Sequence, residues 1–515
     1  MPPGNSQKII VDALGLTSRR LWSIALSVVT GLVVARFLGP ANYGLLAALS
    51  MIPSLALYGS LGWDQAARRE ILHLKGAGSP DTAASVRTTA YTAELVLAVG
   101  WMGVAMVLAC TRPEWPVRAG ILIGALWLIV AKLTALMNLD LFLAKDFRTQ
   151  AAVGAAVATI GACLQMLTAW RFGALATFAS LFAADLAGLW LYWRAHPLRL
   201  AGRFDRRELW RLTRIGVPIA ILTLLSGANG LMVYLDRAIL GTQAGLSVLG
   251  LYVFAYNLTK YLVAFLGDCI LVYQPHLLER LATAADREAV YAWMAKPSLA
   301  MSYVAAIAGS CMLTILPLLI TMVVPNYRAV IPLLPIFFTS ALITCFYYLP
   351  ASLLYSAFAD QQLYYTKVWA AAVAAFAATL WVFVRAGWGV AGAAWASVIA
   401  STCVAVPTVL RAYRFYFSDW RRASRHAMDQ LLPLGYVIAV HTIAMMVRRS
   451  FGHGSTTGWI EELLFAGMTG VVSCVPLIMA ADSIFGLRHG ILANGLLAAL
   501  RLRPIPAADC PSSAA

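Results

Sequence analysis

Apolar residues in this chain are gathered into blocks long enough to cross a bilayer, one after another from residue 21 to residue 484. A spanning helix needs roughly 20 mainly apolar residues, because each advances about 1.5 Å through a hydrocarbon core of about 30 Å. Spans fall at 21–38, 43–61, 88–110, 119–143, 151–170 and 174–193, then at 215–235, 247–273, 298–324, 331–358, 368–384 and 389–410. A final pair lies at 431–447 and 459–484. The ten-residue alternation of a transmembrane β-barrel is missing, so the spans are helices. Only 12% of the 515 residues are charged, against about 25% in a soluble domain. The chain is therefore expected to be an all-α integral membrane protein with about 14 transmembrane helices.

The formal charge of +16 does not mark a nucleic-acid binder, because the basic residues recur in alternate loops rather than forming one stripe. One set of segments comprises the N-terminus, every second loop and the C-terminus. It holds roughly 28 of the 39 Lys and Arg residues, the opposite set roughly 8. Both termini are thus expected in the cytoplasm, with the chain in a bacterial inner membrane. Met1–Arg20 lacks the apolar core and cleavage site of a removed signal peptide. It is expected to form a short interfacial helix ahead of the first span. The eight cysteines form no CxxC pair and sit mostly in apolar blocks, so packing is their expected role.

The basic stretches 194–214 and 411–425 divide the chain. The expected units are an interfacial N-terminus (1–20), a first six-span unit (21–193), a linker (194–214) and a second six-span unit (215–410). A basic loop (411–430), the last two spans (431–485) and a tail (486–515) follow. A short internal repeat supports two halves: Ala35-Arg-Phe-Leu-Gly39 with Tyr43-Gly44 returns as Asp236-Arg-Ala-Ile-Leu-Gly241 with Gly250-Leu-Tyr252. Gly39-Pro40 should end the first span, since Pro cannot extend the helical ladder and Gly tolerates the turn. Gly389, Gly392, Ala393 and Ala394 place small side chains near one face and permit close helix approach. Pro218, Pro317 and Pro350 are candidate kinks.

On these residues the chain resembles the polysaccharide (O-antigen) flippase family of the multidrug/oligosaccharidyl-lipid/polysaccharide (MOP) superfamily. Ala35-Arg-Phe-Leu-Gly-Pro-Ala-Asn-Tyr-Gly44 is similar to the family's A-R-x-L-G-P-x-x-Y-G. Leu61-Gly-Trp-Asp-Gln-Ala-Ala-Arg-Arg-Glu70 is similar to its G-L-D-x-A-x-x-R stretch, with Trp63 at a usually aliphatic position. Asp236-Arg237 through Gly250-Leu-Tyr252 to Pro275 form the second signature. Gly389-Val-Ala-Gly-Ala-Ala394 looks like the third, with Trp388 in place of Tyr. The resemblance implies two six-helix lobes around a central cavity plus a C-terminal helix pair, working by alternating access. It also implies that the substrate is an undecaprenyl-diphosphate-linked oligosaccharide moved to the outer leaflet for O-antigen, exopolysaccharide or capsule synthesis. Membrane lipids, a polysaccharide polymerase and chain-length co-polymerase proteins are the partners it implies.

Ionisable groups at membrane depth carry the site expectations, because each costs at least about 2.5–3.5 kcal/mol on insertion scales and by default faces a cavity or a partner. A diphosphate head needs cations along its route, and Arg36, Lys132, Arg237 and Lys260 are the candidates. Plainer roles compete: Arg36 can snorkel to headgroups, Arg237 can pair with Asp236, and Lys132 or Lys260 can bridge helices. Glu94, Asp236 and Asp268 are candidates for coupling to H⁺ or Na⁺, while Asp140 and Asp185 complete the intramembrane set. Phe346, Tyr347, Tyr348, Tyr355, Tyr364 and Tyr365 suit sugar stacking, but an interfacial belt is the expected reading. No catalytic residue, metal site or organic cofactor is expected, and the chain is read as a carrier rather than an enzyme. A cation-coupled drug exporter or a peptidoglycan-precursor flippase are the near alternatives, and a polysaccharide polymerase or ligase the distant one.

Overall fold

A computed structural model describes residues 3–485, apart from 59, 77–78, 145, 196–201, 227–229, 283–286, 355–358, 360 and 451–458. The first half comprises α1 (Pro3–Leu49), α2 (Met51–Tyr58), α3 (Trp63–Gly76), α4 (Pro80–Cys110), α5 (Trp115–Ala144), α6 (Phe147–Arg171) and α7 (Gly173–Ala195). The second comprises α8 (Arg206–Ser226), α9 (Leu231–Gln243), α10 (Leu246–Ala282), α11 (Arg287–Val323), α12 (Leu334–Leu354), α13 (Gln362–Arg385) and α14 (Gly389–Tyr416). A 3₁₀ segment, Pro325–Leu333, leads into α12, and α15 (Trp420–Ser450) and α16 (Trp459–Phe485) close the chain.

Thirteen of these helical stretches are long and apolar enough to cross a membrane. The expected fourteenth is inside the first of them, Trp22–Ser54. Its helical path breaks at Gly39, where φ is 68° and ψ 172°. That backbone conformation is strained for any residue with a Cβ, and Pro40 behind it cannot rejoin the ladder. The predicted end of the first span thus stands, without a loop. Before it, α1 runs unbroken from Pro3 rather than starting with a separate interfacial helix.

The seventh span departs from the expected continuous helix at 215–235. It is split into α8 and α9, with Gly230 in extended backbone as the cap of α9. Asp236 and Arg237 therefore sit inside a short second helix and not at a span end. Pro218, Pro317 and Pro350 all lie within helices.

Helices α4 to α7 pack with α1 as one lobe, and α9 to α14 as the other. Lipid tails are as apolar as leucine, so helices in a bilayer associate through close packing and small residues. The clearest case joins the two copies of the internal repeat. A Cβ on Gly44 would lie 1.9 Å from the carbonyl oxygen of Leu246, and one on Gly250 would lie 1.8 Å from that of Pro40. Within the second lobe, a Cβ on Gly392 would meet Phe383 of α13 at 2.7 Å, and Ala393 and Ala394 are fully buried. The predicted small-residue face of α14 is used as expected.

The basic linker is more than an anchor for lipid headgroups. Its second part is helical from Arg206, and its backbone is tied to α4 by Gly202 N–H to Thr88 Oγ1 (3.0 Å) and Asp205 N–H to Thr89 Oγ1 (3.0 Å). The terminal pair α15 and α16 leans on α11. Hydroxyls of Ser310 and Ser473 bond each other there, and Thr314 Oγ1 lies 3.3 Å from His441 Nε2.

Candidate functional site

The buried ionisable groups named in the first lobe are hydrogen-bonded in place. Lys132 Nζ of α5 stands 2.7 Å from Glu94 Oε2 of α4, with 3% and 0% of the two residues exposed. The second carboxylate oxygen of Glu94 accepts the Asp64 N–H at 3.2 Å. Asp140 accepts from Tyr91 Oη at 2.9 Å and faces Arg87 at 3.4 Å, while Asp185 accepts from Trp127 Nε1 at 2.5 Å. A buried pair so completely bonded has little left for a passing ligand. The expectation that Lys132 lines a cavity and that Glu94 couples an ion gives way here to an interhelical bridge.

Two other candidate cations also lie elsewhere. Arg36 is on the exposed surface of α1. Arg237 reaches across to the first lobe and donates to the carbonyl oxygen of Ala47 at 3.1 Å. It holds the lobes together instead of pairing with its neighbour Asp236. Asp268 is in α10, but its side chain lies outside the described residues.

A cavity of ≈ 500 Å³ opens along the second lobe, between α8, α9, α10, α12, α13 and α14, with Gln65 of α3 completing its wall. Its charged lining residues are Asp236 and Lys260. The positively lined passage expected from the sequence is therefore a nearly neutral chamber, in which Lys260 is the one predicted cation. Lys260 Nζ lies 4.9 Å from the centre of the Tyr256 ring, within range of a cation–π contact. Asp236 is 2% exposed; its Oδ2 accepts from Tyr252 Oη at 3.0 Å, and its Oδ1 has no protein partner. Trp369 Nε1 of α13, which also lines the chamber, likewise has no protein partner.

Aromatic rings form much of the remaining surface. Tyr252 and Tyr256 stack with centroids 5.8 Å apart and planes within 10°, and Phe337 lies 5.7 Å from Tyr252. Tyr347, Tyr348 and Tyr365 also line the chamber. Their expected place in an interfacial belt is thus corrected, because α12 and α13 turn them inward. Phe346 is buried in packing, Tyr364 donates to the carbonyl oxygen of Pro407 at 3.1 Å, and Tyr355 lies outside the described residues. Tyr252, Tyr256, Phe337 and Trp369 were missed as site residues. The spacing of Tyr252, Tyr256 and Lys260, four residues apart, already puts them on one helical face.

The chamber lies between two places where the lobes touch. On one side α1 crosses α10 at Gly44 and Gly250. On the other, α3 meets α8: Trp63 Nε1 donates to Thr213 Oγ1 at 2.8 Å, and Arg211 pairs with Glu70 at 3.1 Å. Gln65 of α3 lines the chamber and donates to Thr223 Oγ1 at 3.4 Å. The α3–α8 contact is polar, which suits surfaces that part and re-form, whereas the α1–α10 crossing is close-packed and apolar.

This architecture is shared with solved transporters. It is similar to the lipid II flippase MurJ in an inward closed conformation (TM-score 0.64, 10% identity, covering 92% of this chain and 99% of that one). It is also similar to a multidrug resistance MATE family transporter of the MOP superfamily in an inward-facing conformation (TM-score 0.56, 12% identity, 78% and 98% covered). A third likeness is to the MATE multidrug transporter DinF-BH (TM-score 0.55, 14% identity, 80% and 96% covered). The fold is that of MOP-superfamily transporters. Residues 33–277 match the family model described as polysaccharide biosynthesis protein, a stretch that holds the first two motifs read from the sequence. Both findings bear out the resemblance those motifs carry. No curated protein matches the chain.

Proposed function

We propose that this protein is a flippase for lipid-linked oligosaccharide, carrying undecaprenyl-diphosphate-linked repeat units from the cytoplasmic to the outer leaflet for surface polysaccharide synthesis. The observation that carries the reading is a chamber of tyrosines and hydroxyls at membrane depth, in a chain whose residues 33–277 match a polysaccharide biosynthesis family. A drug-like cation needs acids and aromatic faces, whereas a glycan needs many hydrogen-bonding groups around stacking surfaces. Asp236 is accompanied by Ser340, Thr344, Ser397 and Ser401 in the wall, which favours the glycan.

The charge bias of the loops places α3 and the start of α8 in the cytoplasm and the α1–α10 crossing outside. With that orientation the two lobe contacts are the inner and outer gates. Opening one while the other holds gives alternating access by rocking of the lobes. Asp236, with one oxygen still open, is the carboxylate we assign to H⁺ or Na⁺ coupling.

Deleting the gene from its host tests the function. Lipid-linked repeat units should accumulate on the inner leaflet and disappear again when the intact gene is restored. Normal export in a strain with no second carrier would end the flippase reading.

A further inference from the structure

The chamber in the second lobe is balanced in charge. Asp236 and Lys260 are its two charged lining residues, and both lie within the same wall formed by α9 and α10. A diphosphate carries about two negative charges and needs several converging cations to leave water. This chamber offers one, with a carboxylate beside it. What it does offer is a buried acceptor, Asp236 Oδ1, and a donor, Trp369 Nε1, neither satisfied by protein. Native proteins rarely leave such groups without partners, since each costs free energy on burial. The same chamber is lined by the stacked rings of Tyr252 and Tyr256 and by the hydroxyls of Ser340, Thr344, Ser397 and Ser401.

We infer that this chamber is the glycan subsite of the carrier, that it leaves the diphosphate outside, and that Asp236 makes it select uncharged sugars over acidic ones. The inference rests on the flippase reading and assigns a part of the substrate to a named place. A sugar hydroxyl is both donor and acceptor, so one ring can give a hydrogen to Asp236 Oδ1 while another hydroxyl accepts from Trp369. The apolar face of the ring stacks on tyrosine. A uronic acid in the same position brings a second carboxylate towards Asp236 in a poorly screened site, and like charges there repel strongly.

The test uses the full chain in lipid nanodiscs and titrates three kinds of probe. These are bare undecaprenyl diphosphate, the same carrier bearing neutral disaccharides (hexose, N-acetylhexosamine and deoxyhexose versions), and the carrier bearing disaccharides that end in a uronic acid. At least one neutral glycan should bind at least about tenfold tighter than the bare carrier, and the uronates no tighter than the bare carrier. Asp236→Asn keeps an oxygen for Tyr252 and should raise uronate affinity about tenfold while leaving bare-carrier affinity unchanged. Trp369→Phe should lower neutral-glycan affinity about three- to tenfold and leave the bare carrier alone. Binding of the carrier with no gain from any glycan, or equal binding of neutral and acidic glycans, overturns this inference alone. Failure of every probe to bind, bare carrier included, overturns the flippase reading and this inference with it.

Discussion

Lys132 Nζ and Glu94 Oε2 meet at 2.7 Å between α5 and α4, in a place from which lipid and water are both excluded. Removing one partner leaves the other charge buried and uncompensated, at a cost of about 3–5 kcal/mol. Lys132→Ala and Glu94→Ala should therefore each lower the thermal midpoint of the purified protein and its level in membranes. The double replacement by Met and Leu should recover most of that loss. A cation lining the substrate route would give reduced export at normal protein level; the pairing predicts a fault of folding instead. Thermal unfolding of the two single variants and the double variant decides.

Lys260 and Asp236 stand in a different position, at the wall of the chamber. Lys260→Ala and Asp236→Asn should lower the rate of glycolipid transport at least about tenfold with protein level near normal, since both line the chamber and Asp236→Asn keeps an oxygen for Tyr252. Arg36→Ala, on the exposed face of α1, should leave both level and rate within about twofold of the parent. Transport rate and immunoblot, read side by side for the three variants, separate these outcomes.

How far the sequence reaches can be judged from these same residues. Blocks of apolar residues show the spans because length and hydropathy are local properties. Gly39-Pro40 shows the first break because φ freedom and a missing N–H are local as well. Glu94 and Lys132 were both visible as buried ions, yet they are 38 residues apart, and only packing of α4 on α5 reveals that they cancel. The break between α8 and α9 coincides with Ser226-Gly-Ala-Asn-Gly230, a Gly-rich cluster whose breaking tendency is outweighed, in the sequence alone, by the apolar runs on either side. The chamber itself is assembled from seven helices, α3 and α8 to α10 with α12 to α14. Of its parts, Asp236 and Lys260 stood out as charges at membrane depth and Tyr347, Tyr348 and Tyr365 as stacking residues, and the four-residue spacing of Tyr252, Tyr256 and Lys260 marked a shared helical face.

The crossing at Gly44 and Gly250 leaves no space for a methyl group. Gly250→Ala should force α1 and α10 apart, with a stability cost of about 1–3 kcal/mol and loss of a closed gate on that side. A cysteine placed at Ser397, in the chamber wall, should then react faster with a membrane-impermeant thiol reagent added outside than it does in the parent gate. Equal reactivity would show that the crossing is not a gate.

Cys311 of α11 and Cys474 of α16 place their sulfurs 3.8 Å apart. Copper-phenanthroline oxidation should join them into an intramolecular disulfide, removing two thiols per chain. Transport should keep at least about half its rate, because α16 rides with the second lobe through α11 and need not move against it. Block of transport by the cross-link, relieved by reductant, would show that the terminal pair moves during the cycle.

Carriage itself is measured by leaflet exchange in proteoliposomes holding the purified chain and an undecaprenyl-diphosphate-linked oligosaccharide with a labelled glycan. The chain should move the glycan between leaflets, and Lys260→Ala should slow this at least about tenfold. Liposomes in which the glycolipid stays in its leaflet while the same chain extrudes a small cationic dye would contradict the flippase reading.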